Sequence, residues 1–264
     1  FFKQKTAYEI STRDWSSDVC SSDLVYMREM ALLQKKMGKL GYIFSAVMFP
    51  IIYLFAFGMG IGPVMNNIHG GYLPFLAKGM LSITVMMNAF QQTALSVSVG
   101  RFYFKTFQTL LLSPISAFQV ILGITLAGVT RGFIAGGIIY IIAMVFFDVP
   151  MLSLWGFLGI LLSAFCFGIL GIAIGLWIKN PDALSSVINF IITPMTFFCG
   201  TFFPLYNLPD WLQIVVGILP LTLANNLLRT EVFSMYSLLD MIYLIIITLI
   251  LLVISRYQLK NYNE

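Results

Sequence analysis

Long apolar runs separated by short polar breaks dominate the chain from about residue 40 onward. Six stretches reach the about 20 mostly apolar residues that a membrane-crossing helix needs: 40–59, 75–99, 118–147, 153–178, 184–204 and 238–255. The pattern predicts an all-α integral membrane protein with six transmembrane helices. Their boundaries carry helix punctuation. Asn180-Pro181-Asp182 offers a cap residue, a proline at the first helical position and an acid in the first turn, marking the start of the fifth span. Ser237-Leu-Leu-Asp240 fits a capping box at the start of the sixth, which makes Asp240 an expected interfacial cap. The difficult segment is 205–228, because Trp211 to Leu228 carries no charge and has the length of a seventh span. Pro209 and Pro220 interrupt it, so it is read as a re-entrant or interfacial helical hairpin on the outer side, tolerated where protein covers its broken backbone.

Charge sets the expected orientation. With both termini in the cytoplasm, Arg28, Lys35, Lys36, Lys39, Arg101, Lys105, Lys179, Arg256 and Lys260 fall inside, against Arg229 and Lys78 outside. A seventh crossing would move Arg256 and Lys260 to the outer face and weaken that bias. Between the second and third spans lies a cytoplasmic loop, residues 100–117, reading GRFYFKTFQTLLLSPISA. Phe104, Phe107, Leu110, Leu111 and Ile115 give it an apolar stripe before and across Pro114. Such a stripe needs a cover, either the lipid headgroups or another protein. Residues 25–39, just before the first span, form a basic amphipathic segment expected to lie on the membrane surface.

The first 24 residues are different in kind: polar, Ser- and Asp-rich and aperiodic. They lack the basic start and apolar run of a secretory signal and the Arg-rich, acid-poor character of a mitochondrial presequence. Back-translated, Asp14 to Leu24 and Lys3 to Ile10 resemble the two arms of a sequencing-library adapter, in one frame and in order. Residues 1–24 are therefore expected to be an artefact rather than native sequence and are set aside from fold reasoning.

Composition supports the membrane reading: 59% of residues are hydrophobic, well above the roughly 45–50% of soluble domains, and the mean hydropathy is +0.91. The net charge of +4 is spread singly between apolar runs, unlike the clustered basic face of a nucleic-acid binder. Cys166 and Cys199 sit inside apolar stretches, with no spacing that points to zinc or a disulfide framework. No phosphate-binding loop occurs, since the only Gly-Lys pair, Gly38-Lys39, is followed by Leu40. His69 is the single histidine, and no acid pair falls inside the spans, so neither catalytic nor metal-ligating residues are expected.

Polar groups within the spans are the remaining clue, because hydrocarbon penalises them unless they face protein or water. Asn88, Gln91 and Gln92 crowd the second span and Arg131 sits near the middle of the third. These four are candidates for a translocation path, or for hydrogen bonds between helices. Gly123, Gly128, Gly132, Gly136 and Gly137 give the third span small surfaces for close packing.

The stretch TFFCGTFFPLYNLPDWLQIVVGILPLTLANNLLR, Thr196 to Arg229, resembles the signature before the last span of type-2 ABC exporter permeases. Gly200, Phe203, Pro204, Pro209, Trp211, Pro220 and Arg229 carry the likeness, and TLLLSPISAFQVILG, Thr109 to Gly123, is similar to the family's cytosolic coupling loop. One departure is Lys78-Gly79, where the family usually has Pro-Gly. The resemblance implies that residues 40–264 form a membrane domain with no ATPase of its own. It further implies a cytosolic ABC ATPase in two copies, using ATP and Mg, that grips Phe107, Leu110, Leu111, Ser113, Pro114 and Ile115. A second permease copy, or a homologue of it, would complete a dimer in a bacterial inner or plasma membrane. The implied cargo is a polysaccharide, a lipo-oligosaccharide or a hydrophobic drug moved outward. An ion-coupled secondary transporter and a non-transporting membrane scaffold stay open as alternatives.

Overall fold

The structure, a computed structural model, describes residues 19–37, 40–60, 62, 71–103, 115–230 and 234–261. Among these residues the fold is helical, without strands. The helices are α1 Val19–Met37, α2 Leu40–Gly60, α3 Tyr72–Phe102, α4 Ala117–Phe147 and α5 Leu154–Trp177. There follow α6 Asp182–Phe198, α7 Asp210–Gly217, α8 Pro220–Arg229 and α9 Met235–Lys260. Helices α3, α4, α5 and α9 are long and apolar enough to cross a membrane, while α6 and the 47–60 part of α2 are shorter apolar helices. The segment 205–228 resolves into a 3-10 turn, Leu205–Asn207, followed by α7 and α8, which bend by 91° at their junction. Pro220 opens α8, where its missing N–H costs nothing.

Helix α3 is the hub, with 78% of its most apolar stretch buried against 11% for α9, whose flank of Ile246, Leu249, Ile250 and Val253 is left bare. Glycines decide how close its neighbours come. A Cβ on Gly128 would lie 2.9 Å from the Ala89 carbonyl oxygen, one on Gly132 2.8 Å from that of Val85, and one on Gly136 3.0 Å from Leu81 Cδ1. One stripe of α4, at i, i+4 and i+8, thus lies directly on α3, the two helices running antiparallel. On the other side Gly171 of α5 would meet the Phe90 carbonyl oxygen at 2.6 Å and Gly175 that of Ala94 at 3.2 Å, which makes α5 parallel to α3. The expected glycine packing of the third span holds for this stripe. It fails for Gly137, which faces open space, whereas Gly123 meets Val25 of α1.

Several hydroxyls in α3 are satisfied within the helix itself. Thr84 Oγ1 donates to the Met80 carbonyl at 2.7 Å, Ser98 Oγ to that of Ala94 at 2.7 Å and Thr93 Oγ1 to that of Ala89 at 3.1 Å. Back-bonding of this kind is how a hydroxyl is carried through hydrocarbon.

Helix α1 extends beyond the 25–39 segment read in the sequence. It begins at Val19, upstream of residue 25, and packs along α4, where Val25 meets Gly123 and the Tyr26 hydroxyl shares a 3.2 Å hydrogen bond with Thr130 Oγ1. The start of α9 is also corrected. Ser234 is the N-cap and exchanges a reciprocal capping box with Ser237 at N3. The Ser237–Asp240 pairing is therefore not the cap, and Asp240, one turn further in, faces Asn226 of α8 instead.

Candidate functional site: a helical elbow and a buried polar seam

The signature stretch converges on the turn that ends α6. Gly200 leaves the helix at φ +72, the left-handed region that glycine enters without steric cost. From α8, Arg229 Nη2 donates to the Gly200 carbonyl at 2.7 Å and, at a longer 3.4 Å, to the Phe75 carbonyl of α3. Its guanidinium lies 3.6 Å from the centroid of the Phe75 ring, a cation–π contact. One helical turn earlier on the same face, Asn225 Nδ2 donates to the Cys199 carbonyl at 2.8 Å and to Thr201 Oγ1 at 3.2 Å. The Tyr72 hydroxyl, at the start of α3, donates to the Phe202 carbonyl at 3.1 Å. Gly79 completes the contact, since a Cβ there would sit 2.7 Å from the Thr201 carbonyl oxygen. The glycine of the Lys78-Gly79 pair is thus required by close approach, whatever residue precedes it.

Two of the seven signature residues, Gly200 and Arg229, therefore touch directly, and Pro220 starts the helix that carries Arg229. Pro204 is buried and Phe203 half-buried beside the turn, whereas Pro209 and Trp211 are exposed at the start of α7. Helix α7 turns an apolar face of Trp211, Ile214, Val215 and Ile218 outward. Sequence reasoning missed Asn225, Tyr72 and Phe75. The signal for Asn225 was its spacing of four from Arg229, which puts both on one helical face.

The polar seam joins α3 to α4. Arg131 Nη1 donates to Gln92 Oε1 at 2.7 Å, and both residues are buried. Asn88, on the same face as Gln92, donates to the carbonyl of Thr84 in its own helix at 2.9 Å. Gln91 lies half-buried to one side. Of the four path candidates, then, Arg131 and Gln92 are brought together across the helix pair, Asn88 is held within α3, and Gln91 is set apart.

At the other end of α3, Arg101 Nη1 donates to the carbonyls of Gly175, Leu176 and Ile178 at 2.9, 2.8 and 3.2 Å. A cation on the orphan carbonyls at the end of α5 also meets the negative end of that helix dipole. Of the coupling-loop candidates, Phe107, Leu110, Leu111, Ser113 and Pro114 lie outside the described residues. Ile115 is described, and it packs against an internal cluster with Val120, Ile121 and Leu259. Ser116 follows as the N-cap of α4, closing a capping box with Gln119, so Ile115 and Val120 occupy the N′ and N4 positions of a hydrophobic staple. Among the described residues no group of three or more His, Cys, Asp or Glu side chains is placed to hold a metal ion.

These features define a multi-pass helical membrane protein with a broken helix pair before its last span. Residues 25–233 match the family model described as ABC-2 type transporter, and the protein belongs to that family. It is 31% identical over 165 residues to the inner membrane transport permease YadH of Escherichia coli K12. That match covers 61% of this chain and 64% of YadH, just under two thirds of the permease. Nodulation protein J of Bradyrhizobium diazoefficiens is 28% identical over 182 residues, covering 68% of this chain and 70% of that protein. Nodulation protein J of Rhizobium leguminosarum bv. trifolii is 29% identical over 183 residues with the same coverage, 68% and 70%.

Proposed function

We propose that this protein is the permease subunit of an ATP-driven exporter in a bacterial inner membrane. The observation that carries the reading is the family match from residue 25 to residue 233, which takes in the seam, the coupling loop and the elbow. In this reading six helices cross the bilayer, α2 and α6 included, with both termini in the cytoplasm. Two copies of the permease, or this chain and a homologue, meet two copies of a cytosolic ABC ATPase that binds and hydrolyses ATP with Mg. The elbow sequence favours an amphipathic or lipid-linked cargo such as a polysaccharide, a lipo-oligosaccharide or a hydrophobic drug. Within the seam, Asn88, Gln91, Gln92 and Arg131 are the path candidates, with Arg131 Nη1 and Gln92 Oε1 joined across the helix pair.

The coupling segment supplies the test. Leu111→Asp places a charge on the apolar stripe that would dock the ATPase, whereas Ile115→Asp would also damage the internal cluster and so is the poorer probe. The permease is co-expressed with the ABC ATPase encoded beside it and purified by a tag on the permease. The wild type is expected to retain the ATPase and Leu111→Asp to lose it while remaining folded and membrane-inserted. An Asp variant that keeps its ATPase overturns the docking assignment. A wild type that never binds an ABC ATPase overturns the permease reading.

A further inference from the structure

We infer that α6 works as a lever, clamped at its outer end by α8 and hinged at its middle. The clamp is built on main-chain acceptors: Asn225 and Arg229 hold the carbonyls of Cys199 and Gly200, and Tyr72 holds that of Phe202. Asn225 is 1% exposed, so its bond to the Cys199 carbonyl is shielded from competing water. Because Phe75 and Gly79 of α3 close on the same turn, α8, the turn and the outer end of α3 form one block.

The body of α6 is held differently. Helices α4 and α5 lie against α3 through glycines that let backbones touch, but 182–198 contains no glycine, and α6 meets its neighbours through side chains such as Leu184, Ile192 and Met195. Its hydrogen-bond ladder also changes at the centre. Residues Ile188–Ile192 form a π-turn in which the Thr193 amide reaches back five residues to the Ile188 carbonyl. The Thr193 hydroxyl donates to that same oxygen at 3.0 Å, and Pro194 has no N–H to continue the ladder. Ladder breaks of this kind are where helices bend. Phe190 is 81% exposed on one side of the broken segment, while Ile192 on the other is fully buried in the core and serves as the fulcrum. The inner half, which carries Ser185 and Ser186, therefore swings about Ile188–Ile192 while the outer end stays fixed. The inference rests on the transporter reading for its purpose alone, since clamp and hinge belong to the isolated chain.

Spin-label distance measurements on the purified full chain in lipid nanodiscs, diluted with unlabelled protein, test it without ATPase or cargo. Labels at Asn207 and Asn226, both exposed, report the clamped block; labels at Ser185 and Asn226 report the swing of the inner half. The Ser185–Asn226 distance distribution is expected to be at least about twice as broad as that of Asn207–Asn226. Thr193→Val with Pro194→Ala is expected to narrow it by restoring the regular ladder. Arg229→Met is expected to broaden the Asn207–Asn226 distribution, and Arg229→Lys to do so less. Equal widths for the two pairs overturn the lever, as does a Thr193→Val, Pro194→Ala variant whose inner pair stays broad. An Asn207–Asn226 pair unchanged by Arg229→Met overturns the clamp. Failure to bind an ABC ATPase would count against the permease reading and leave these distances unaffected.

Discussion

At the level of single residues, glycines in equivalent-looking apolar sequence do opposite things. Gly171 of α5 sits where a Cβ would come 2.2 Å from Thr93 Oγ1 and 2.6 Å from the Phe90 carbonyl oxygen, so Gly171→Ala must push two backbones apart. Overpacking of that kind costs about 1–3 kcal/mol. Gly137→Ala meets nothing within 4 Å and gains helix propensity, up to about 1 kcal/mol. Thermal unfolding of the two variants in detergent is expected to show a lowered midpoint for Gly171→Ala and an unchanged or raised one for Gly137→Ala. The Gly128, Gly132 and Gly136 stripe was legible in the sequence because a spacing of four keeps one face. What the sequence could not show is which neighbour each face meets: Gly123 looks to α1, and Gly137 looks to none. Arg131 is a similar case. Its depth was visible, but its partner, Gln92, lies on another helix, and only the antiparallel register of α3 and α4 joins them.

At the level of elements, the helix ends are governed by groups that sequence pattern names only in part. Asn180-Pro181-Asp182 marked the place where α6 starts, although Pro181 rather than Asn180 is the N-cap and no side chain closes it, and Pro220 marked the start of α8, because proline's missing N–H is harmless at a helix start. The capping box of α9 was placed one turn late, since Ser234 and Ser237 both have the chemistry and Asp240 made the later choice attractive. The π-turn of α6 left a trace only in Thr193-Pro194. Helix C-termini were the least legible, being closed by side chains distant in the chain: Arg101 on α5, and Asn225 with Arg229 on the turn after α6. Counting Arg101 as one more inside charge missed its three carbonyl partners. Arg101→Met removes those bonds and leaves the last carbonyls of α5 open. With a charged donor the loss is about 1.5–3 kcal/mol. Hydrogen exchange at residues 175–178, whose amides close that final turn, is expected to accelerate in Arg101→Met while residues 160–170 keep their protection. Uniform protection in both segments would show that the cap carries no stability.

At the level of the whole molecule, the open question in the sequence was whether 205–228 crosses the membrane. The helical membrane character was legible because the bilayer imposes length rules directly on sequence; of the six expected spans, four appear among the described residues as helices long and apolar enough to cross. The uncharged run Trp211 to Leu228 satisfied the length rule and had to be judged on its prolines. Geometry sharpens that judgement. Helices α7 and α8 have 8 and 10 residues and meet at 91°. At 1.5 Å per residue, two such arms at a right angle extend at most about 20 Å along any one direction, short of the roughly 30 Å hydrocarbon core. That length favours the hairpin reading, in which the elbow enters and leaves on one side, with Arg229 half-buried and held by the Gly200 carbonyl and the Phe75 ring. A single cysteine at Asn207, before the elbow, and another at Asn261, after α9, separate the two topologies, both being exposed positions. A membrane-impermeant maleimide added to intact cells is expected to label Asn207→Cys at once and Asn261→Cys only after permeabilisation. If both react in intact cells, the elbow is a crossing, the chain ends outside, and Arg256 and Lys260 lie on the wrong side for the positive-inside rule.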